Sequence, residues 1–242
     1  MKEIRINADA NIQREAISED QYCVIVDDFL QDPHEIIEFA DEHAAEFSFP
    51  EKLGYPGLQL HVKNDATTDI YRFIRSKMAR HFLFLRGGII MRTLLSMVTM
   101  RPDELPSLQR ICHTDPVPDP DRKSYAALVY LFENEALGGT GFYRWRDREL
   151  LQKATAIERE DPIKGRAFLQ ENFPTFRKPA CYMTDSNEVA ERFCTIPARF
   201  NRLVFYPGDV PHSGAITAPE LLSTDFQQGR LTLNCIFSVS PK

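Results

Sequence analysis

The sequence predicts an α+β fold, and three observations support it. Two stretches with helical apolar spacing come early in the chain. Short apolar runs bounded by Pro, Gly or Asp crowd the later part, as strands of an antiparallel sandwich or barrel do. No linker, repeat or low-complexity tract separates the two regions, so residues 1–242 read as a single domain. Helices would then cover one face of a sheet whose other face is left for a site.

Each element has a local reason. Residues 22–29 (YCVIVDDF) are rich in β-branched and aromatic side chains and read as a strand. Asp32 is placed to cap a helix, with Pro33 at its first position and Glu35 at capping-box spacing. Ile36, Ala40, Ala44 and Phe47 give that helix its buried stripe. Residues 69–85 form a second amphipathic helix through Ile70, Phe73, Ile74, Met78, Phe82 and Leu85, ended by Gly87 and Gly88. Residues 108–115, 125–132, 201–206 and 231–239 read as strands. Between them lies an inserted segment at about 143–190, with a charged helix over 146–160 and a loop over 173–185.

Composition removes several function classes. Lys and Arg number 29 against 35 Asp and Glu, so the formal charge is −6, and no basic stripe is available to neutralise phosphates. No nucleic-acid partner is expected. The most apolar stretch, 87–100, is interrupted by Arg92 and too short for a bilayer span, so no membrane partner is expected either. Residues 1–20 lack the apolar core of a secretory signal. The five cysteines are odd in number and form no CxxC, which argues against a disulfide framework and makes a reducing cytoplasm the expected compartment.

The chemistry is concentrated in three places. His113 and Asp115 are two residues apart in an extended segment, so imidazole and carboxylate point into one space, with Gln109 and Ile111 on the same face. His212 follows a buried strand and a tight Pro207-Gly208-Asp209 turn that would set it at a barrel mouth. Arg230 opens a strand in which Leu231, Leu233, Cys235 and Phe237 form an apolar face, while Arg230, Thr232 and Asn234 form a polar one. Two histidines and one carboxylate make the facial triad of non-haem Fe(II) oxygenases. Three protein ligands leave room for a bidentate co-substrate and O2. A guanidinium beyond the second histidine suits the far carboxylate of 2-oxoglutarate. A metal-binding jelly-roll module without turnover and a zinc hydrolase use comparable ligands, and both stay open at this level.

These features, taken in order, resemble the 2-oxoglutarate/Fe(II)-dependent dioxygenases, particularly their prolyl 4-hydroxylase-like branch. The resemblance rests on Val24–Leu30 near the N-terminus, on His113 and Asp115, on Val129-Tyr130-Leu131-Phe132, and on Leu137-Gly138-Gly139-Thr140-Gly141-Phe142. It continues through Leu203-Val204-Phe205-Tyr206-Pro207-Gly208 before His212 and ends on Gly229-Arg230-Leu231-Thr232. It covers residues 105–240 well and the N-terminal part loosely. It implies a double-stranded β-helix (jelly roll) buttressed by the early helices. It further implies that His113, Asp115 and His212 bind Fe(II), that Arg230 pairs with the C5 carboxylate of the co-substrate 2-oxoglutarate, and that Tyr130 contacts the same carboxylate. The activity implied is a hydroxylase, acting with O2 on a small-molecule, amino-acid or peptide substrate. Retention of Asp115 argues against halogenation, which in this superfamily generally needs the carboxylate replaced. The proline-rich loop after Asp115, the long 143–190 segment and the polar loop over 217–229 depart from the family pattern at the rim, where substrate is chosen.

Overall fold

The alternation over residues 230–239 becomes a two-faced strand at the centre of the molecule. The computed structural model describes residues 3–50, 54–82, 87–116 and 119–240. In chain order the elements are β1 (Ile12–Ala16), β2 (Tyr22–Val26), α1 (Pro33–Glu42), β3 (Gly57–Val62), α2 (Thr68–Ser76), β4 (Ile89–Val98), β5 (Lys123–Tyr130), β6 (Thr140–Trp145), α3 (Arg148–Glu160), α4 (Pro162–Asn172), β7 (Ala190–Ile196), β8 (Leu203–Pro207), β9 (His212–Gly214) and β10 (Arg230–Val239). Among the described residues, two antiparallel sheets form, one in the order β1-β2-β8-β5-β10-β4-β3 and a smaller one in the order β7-β6-β9.

Side-chain alternation then stacks three layers. Val24, Val26, Val129, Phe205, Leu231, Leu233 and Phe237 face one way and share a buried cluster with Ile36, Ile37 and Ala40 of α1 and with Ile70 and Ile74 of α2. Each such side chain removed from water contributes about 1.5–3 kcal/mol. The neighbours in sequence, Cys23, Ile25, Ala126, Tyr130, Val204 and Tyr206, face the other way and join Phe142 of β6 and Ile196 of β7. The helices therefore cover one face of the large sheet and the small sheet covers part of the other, an α+β arrangement. The register pairs Thr232 with Tyr130 and Ser96, and Ala126 with Tyr206, so the polar residues of β10 lie on the face toward the small sheet.

Several elements differ from the sequence expectation, each for a local reason. β2 stops at Val26, because Asp28 takes a left-handed turn conformation (φ 52°). Asp32 precedes α1, yet its carboxylate takes a hydrogen bond from Arg5 (2.6 Å) and caps no helix N–H. α1 ends at Glu42, and a separate 3₁₀ turn follows over Ala44–Glu46. α2 ends at Ser76, whose hydroxyl bonds back to Arg72 O (2.8 Å), and Met78–Arg80 is a 3₁₀ turn. Leu85, the expected end of that helix, lies outside the described residues. Residues 108–115 are not a ladder strand. Ser107–Arg110 is a 3₁₀ turn, and Leu108, Ile111 and Cys112 pack sideways against α3 and α4. Neither β4 nor α4 was expected as an element.

The inserted segment builds its own small core. Leu151, Ala154, Leu169, Phe173 and Phe176 pack with Tyr143, Met183, Ile111 and Cys112. Asp147 caps α3 through Leu150 N (2.8 Å), and Asp161 caps α4 through Ile163 N (3.0 Å). All five cysteines are free thiols. Among the described residues no helix is long and apolar enough to cross a membrane.

Candidate metal centre

One isolated bridge brings the two histidines together. His113 N donates to His212 O (2.9 Å) and His212 N donates to His113 O (2.8 Å), so the residues stand opposite each other with ring centroids 4.6 Å apart. Asp115 N donates to Gly208 O (2.8 Å), which holds the third residue on the same extended segment. The ligand atoms of His113, Asp115 and His212 all lie within 4.8 Å of one another, with His212 Nε2 3.9 Å from Asp115 Oδ1. This is a possible His-Asp-His metal site.

The surroundings prepare these atoms for a cation. His212 Nδ1 lies 2.9 Å from Val210 O, and a proton held there leaves the Nε2 lone pair facing the centre. Tyr206 meets the His212 ring edge-on, with centroids 4.8 Å apart. His113 is exposed on one flank, Asp115 is half-buried and His212 is buried. Burial pushes His113 down to about 4, with the neighbouring His212 adding to the shift and Asp115 opposing it. Burial likewise pushes His212 down to about 4. Both rings are neutral near pH 7, which is the ligating form. Burial raises the Asp115 carboxyl, while His113 and Arg92 pull it back. Its Oδ2 is buried without a hydrogen-bond partner. An orphaned buried carboxylate oxygen is costly, and a cation among these three ligands would satisfy it. The donor set therefore fits a divalent transition metal.

Gly208 is required by this packing. A Cβ there would sit 2.7 Å from Asp115 Oδ2, 2.7 Å from Ser124 Oγ and 2.9 Å from Asp115 Cβ.

Arg230 starts β10 and is 3 % exposed. Its Nε donates to Leu137 O (3.0 Å), and Nη2 donates to Gly138 O (3.2 Å) and Gly139 O (3.0 Å). Its guanidinium also lies 5.5 Å from the centroid of the Phe132 ring. These partners are all neutral. Nη2 is 3.6 Å from the point a Cβ on Gly214 would occupy. Gly214 lies two residues beyond His212 on β9, a step of about 6.8 Å. Arg230 is thus one short molecule's length from the triad.

The Tyr130 hydroxyl is 2.7 Å from Thr140 Oγ1, and both residues are buried. Sequence reasoning missed Tyr206, whose phenol burial holds well above the usual range, with Asp115 raising it further and Arg230 pulling it back. It therefore stays a neutral hydroxyl, on a ring that packs against His212. The alternation Val204/Tyr206 just before the Pro-Gly turn was the signal for it. Of the other two residues expected on the site face, Ile111 turns instead into the core of the inserted segment.

That segment braces the approach to His113. Cys112 N lies 3.2 Å from Met183 Sδ, and Tyr143 OH donates to Met183 O (2.9 Å). Arg110 Nη2 donates to Thr175 O (3.0 Å) and Lys178 O (3.1 Å). Val210 and Pro211, immediately before His212, line a cleft between the β1–β2 turn and β6–β7.

Comparison with known proteins places this geometry in context. No curated protein matches the chain in sequence. Among solved structures, the non-heme alpha ketoglutarate dependent carbocyclase SnoK from nogalamycin biosynthesis superposes with a TM-score of 0.50 at 13 % identity, covering 93 % of this chain and 81 % of that one. At this identity the likeness is one of fold. The epimerase SnoN from the same biosynthesis gives 0.46 at 13 % identity, over 90 % of this chain and 80 % of that one. A Pseudomonas putida prolyl-4-hydroxylase gives 0.42 at 14 % identity, over 97 % and 95 %. The model of the family described as "Family of unknown function (DUF6445)" matches residues 8–237, and the chain belongs to that family.

Proposed function

We propose that this protein is a non-haem Fe(II)- and 2-oxoglutarate-dependent dioxygenase, a hydroxylase of the prolyl 4-hydroxylase-like branch, folded as one domain. The observation that carries the reading is the convergence of His113, Asp115 and His212 within 4.8 Å, one strand step from a buried arginine whose partners are all neutral. We read the two sheets as a double-stranded β-helix. In support, the chain passes from β4 to the His113 segment beside β9, back to β5, across to β6 and β7, back to β8, across to β9 and back to β10.

His113, Asp115 and His212 would hold Fe(II). Iron held there would, with O2 and 2-oxoglutarate, supply the oxidative chemistry that hydroxylates a C–H bond. The chain's own contribution is positional. The Val210 carbonyl fixes the His212 tautomer and Gly208 leaves space for Asp115. Phe142 and Tyr206 exclude water beside His212. Arg230 is the anchor for the C5 carboxylate, with Tyr130 nearby. A guanidinium this deeply buried calls for an anion. The inserted segment at 143–190 braces the His113 approach, and we assign it a part in choosing the small-molecule, amino-acid or peptide substrate. The iron and 2-oxoglutarate recorded in solved relatives such as SnoN agree with this reading.

Anaerobic titration with Fe(II) and 2-oxoglutarate tests it. The visible charge-transfer band of the chelated co-substrate should form with wild type. It should vanish in His113→Ala, Asp115→Ala and His212→Ala, together with stoichiometric metal binding. Full iron occupancy in the Asp115→Ala/His212→Ala double variant would remove the ligand assignment. Metal binding without the band would leave a metal-binding module.

A further inference from the structure

The large sheet presents another arginine to the metal centre, at the end away from Arg230. In the register Tyr206 pairs with Ala126, Ala126 with Ile236, and Ile236 with Arg92. Directly opposed partners project from the same face of a sheet. That face is the site face, because the Tyr206 ring meets His212 on it. The next row outward is Ser124, Ser238 and Ile90. Ser124 Oγ and Asp115 Oδ2 each lie 2.7 Å from the point a Gly208 Cβ would occupy, so the metal centre stands over these two rows. Arg230 pairs with Val98, at the far end of β4 from Arg92 and about 20 Å along it. The two arginines therefore serve different places.

Exposure rises along both rows away from the triad. Tyr206 and Ala126 are buried, Ile236 is half-buried and Arg92 is exposed. In the second row Ser124 is buried, Ser238 is half-buried and Ile90 is 64 % exposed. The small sheet accounts for the covered end, since its buried cluster takes in Ala126 and Tyr206. At the other end the register of β3 on β4 stops at Val62 with Thr93, which leaves Ile90 and Arg92 on an outer edge. The site thus opens to solvent over Ile236 and towards Arg92. The Arg92 charge is felt at the centre, where it helps pull the Asp115 carboxyl down against burial. Arg122 stands on the same flank but is tied to the sheet, its Nε donating to Ser238 Oγ (2.7 Å) and its Nη2 to Gly88 O (3.4 Å).

We infer that the substrate is a carboxylic acid with an aliphatic body, its carboxylate held by Arg92 at the mouth and its chain laid over Ile236 towards the metal centre. This rests on the dioxygenase reading and narrows its substrate class. One guanidinium matches one carboxylate in charge and in fork geometry. Ile90 and Ile236 give the chain an apolar floor. From Arg92 to Ala126 is two strand spacings, about 10 Å, which a short chain bridges. Arg92 would then set which carbon faces the metal. A hydrogen-bonded charge pair at an open mouth is partly screened, so its loss should weaken binding about tenfold.

The experiment is anaerobic calorimetry on the full-length protein loaded with Fe(II) and 2-oxoglutarate, wild type against Arg92→Gln and Arg92→Lys. The probes are butanoate, hexanoate and octanoate, each beside its primary amide, which keeps the chain and removes the charge. The expected result is saturable binding of at least one acid, about tenfold tighter than its amide. Arg92→Gln should abolish that preference and Arg92→Lys should keep part of it, with iron and 2-oxoglutarate bound no more weakly than by wild type. Absence of acid binding to wild type, amides that bind as well as the acids, or a preference that survives in Arg92→Gln overturns the inference and leaves the dioxygenase reading intact. Loss of 2-oxoglutarate binding in Arg92→Gln moves Arg92 to the co-substrate and overturns it as well. Failure of wild type to bind 2-oxoglutarate overturns the dioxygenase reading and the inference with it.

Discussion

Substituting Gly208 by alanine tests how closely the metal centre depends on packing. The new Cβ would lie 2.7 Å from Asp115 Oδ2 and 2.7 Å from Ser124 Oγ. Ordinary contact begins at roughly 3.5 Å, so about 0.8 Å must be found. The backbone cannot supply it. Gly208 O accepts from Asp115 N (2.8 Å) and Gly208 N donates to Ser124 O (2.9 Å), which pins both sides of the contact. The Asp115 carboxylate must therefore rotate, carrying Oδ1 away from its place 3.9 Å from His212 Nε2. Metal–ligand distances tolerate about 0.2 Å, and misplacing a ligand's support costs about 10–100-fold in affinity. Gly208→Ala should weaken Fe(II) binding by that order and lower stability by about 1–3 kcal/mol through overpacking. Gly214→Ala is the control. Its Cβ meets nothing nearer than 3.6 Å, so iron affinity should not change. The measurement is anaerobic calorimetry with Fe(II), alongside a urea melt. A folded Gly208→Ala protein with wild-type iron affinity would refute the claim that Asp115 ligates from the position it holds.

Two further outcomes follow from the site. Arg230→Ala should weaken 2-oxoglutarate binding by roughly 30-fold or more, since losing a buried charge-assisted pair costs on the order of 2–5 kcal/mol, while iron binding stays near wild type. Calorimetry with the metal-loaded protein reads both. The metal-free protein should lose stability as pH falls from 6.5 towards 4. His113 and His212 are held down at about 4 in the fold, so the unfolded chain takes up those protons first, and the stability present above 6.5 is lost through this window. Asp115, whose carboxyl is raised, opposes the trend. Urea melts of chelator-treated protein across that range should show a steeper loss than the His212→Gln variant, and equal slopes would refute the assignment.

The sequence made some parts of this molecule legible because they obey one simple period. In β10 the odd positions Leu231, Leu233, Cys235 and Phe237 are buried among the helices, and Arg230, Thr232 and Asn234 take the other face, as alternation requires. The HxD spacing places His113 and Asp115 together even though no ladder strand holds them. The bridge to His212, nearly a hundred residues away, is invisible to local pattern and was reached through the family order instead. Other elements were hidden because their side chains serve two neighbours. β4 is buried almost continuously from Thr93 to Val98, so it shows no alternation. The apolar residues at 108–112 looked like a strand because they cover α3 and α4. α4 carries Pro162 and a Gly165 whose Cβ would strike Glu158 Cα at 2.3 Å, so close helix contact rather than amphipathic spacing decides its sequence. Gly208 matters through what surrounds it in space, and no spacing rule marks it.

The bridge between His113 and His212 has a consequence for how the rim holds together. Among the described residues, two backbone hydrogen bonds stitch the His113 segment to β9, and small units of this kind open at far lower free energy than the sheets around them. An ion coordinated from both sides of that seam would act as a clasp, since opening the seam would require releasing it. Closure of the seam would then follow the free metal concentration by mass action, its stabilisation rising with the logarithm of that concentration above the dissociation constant.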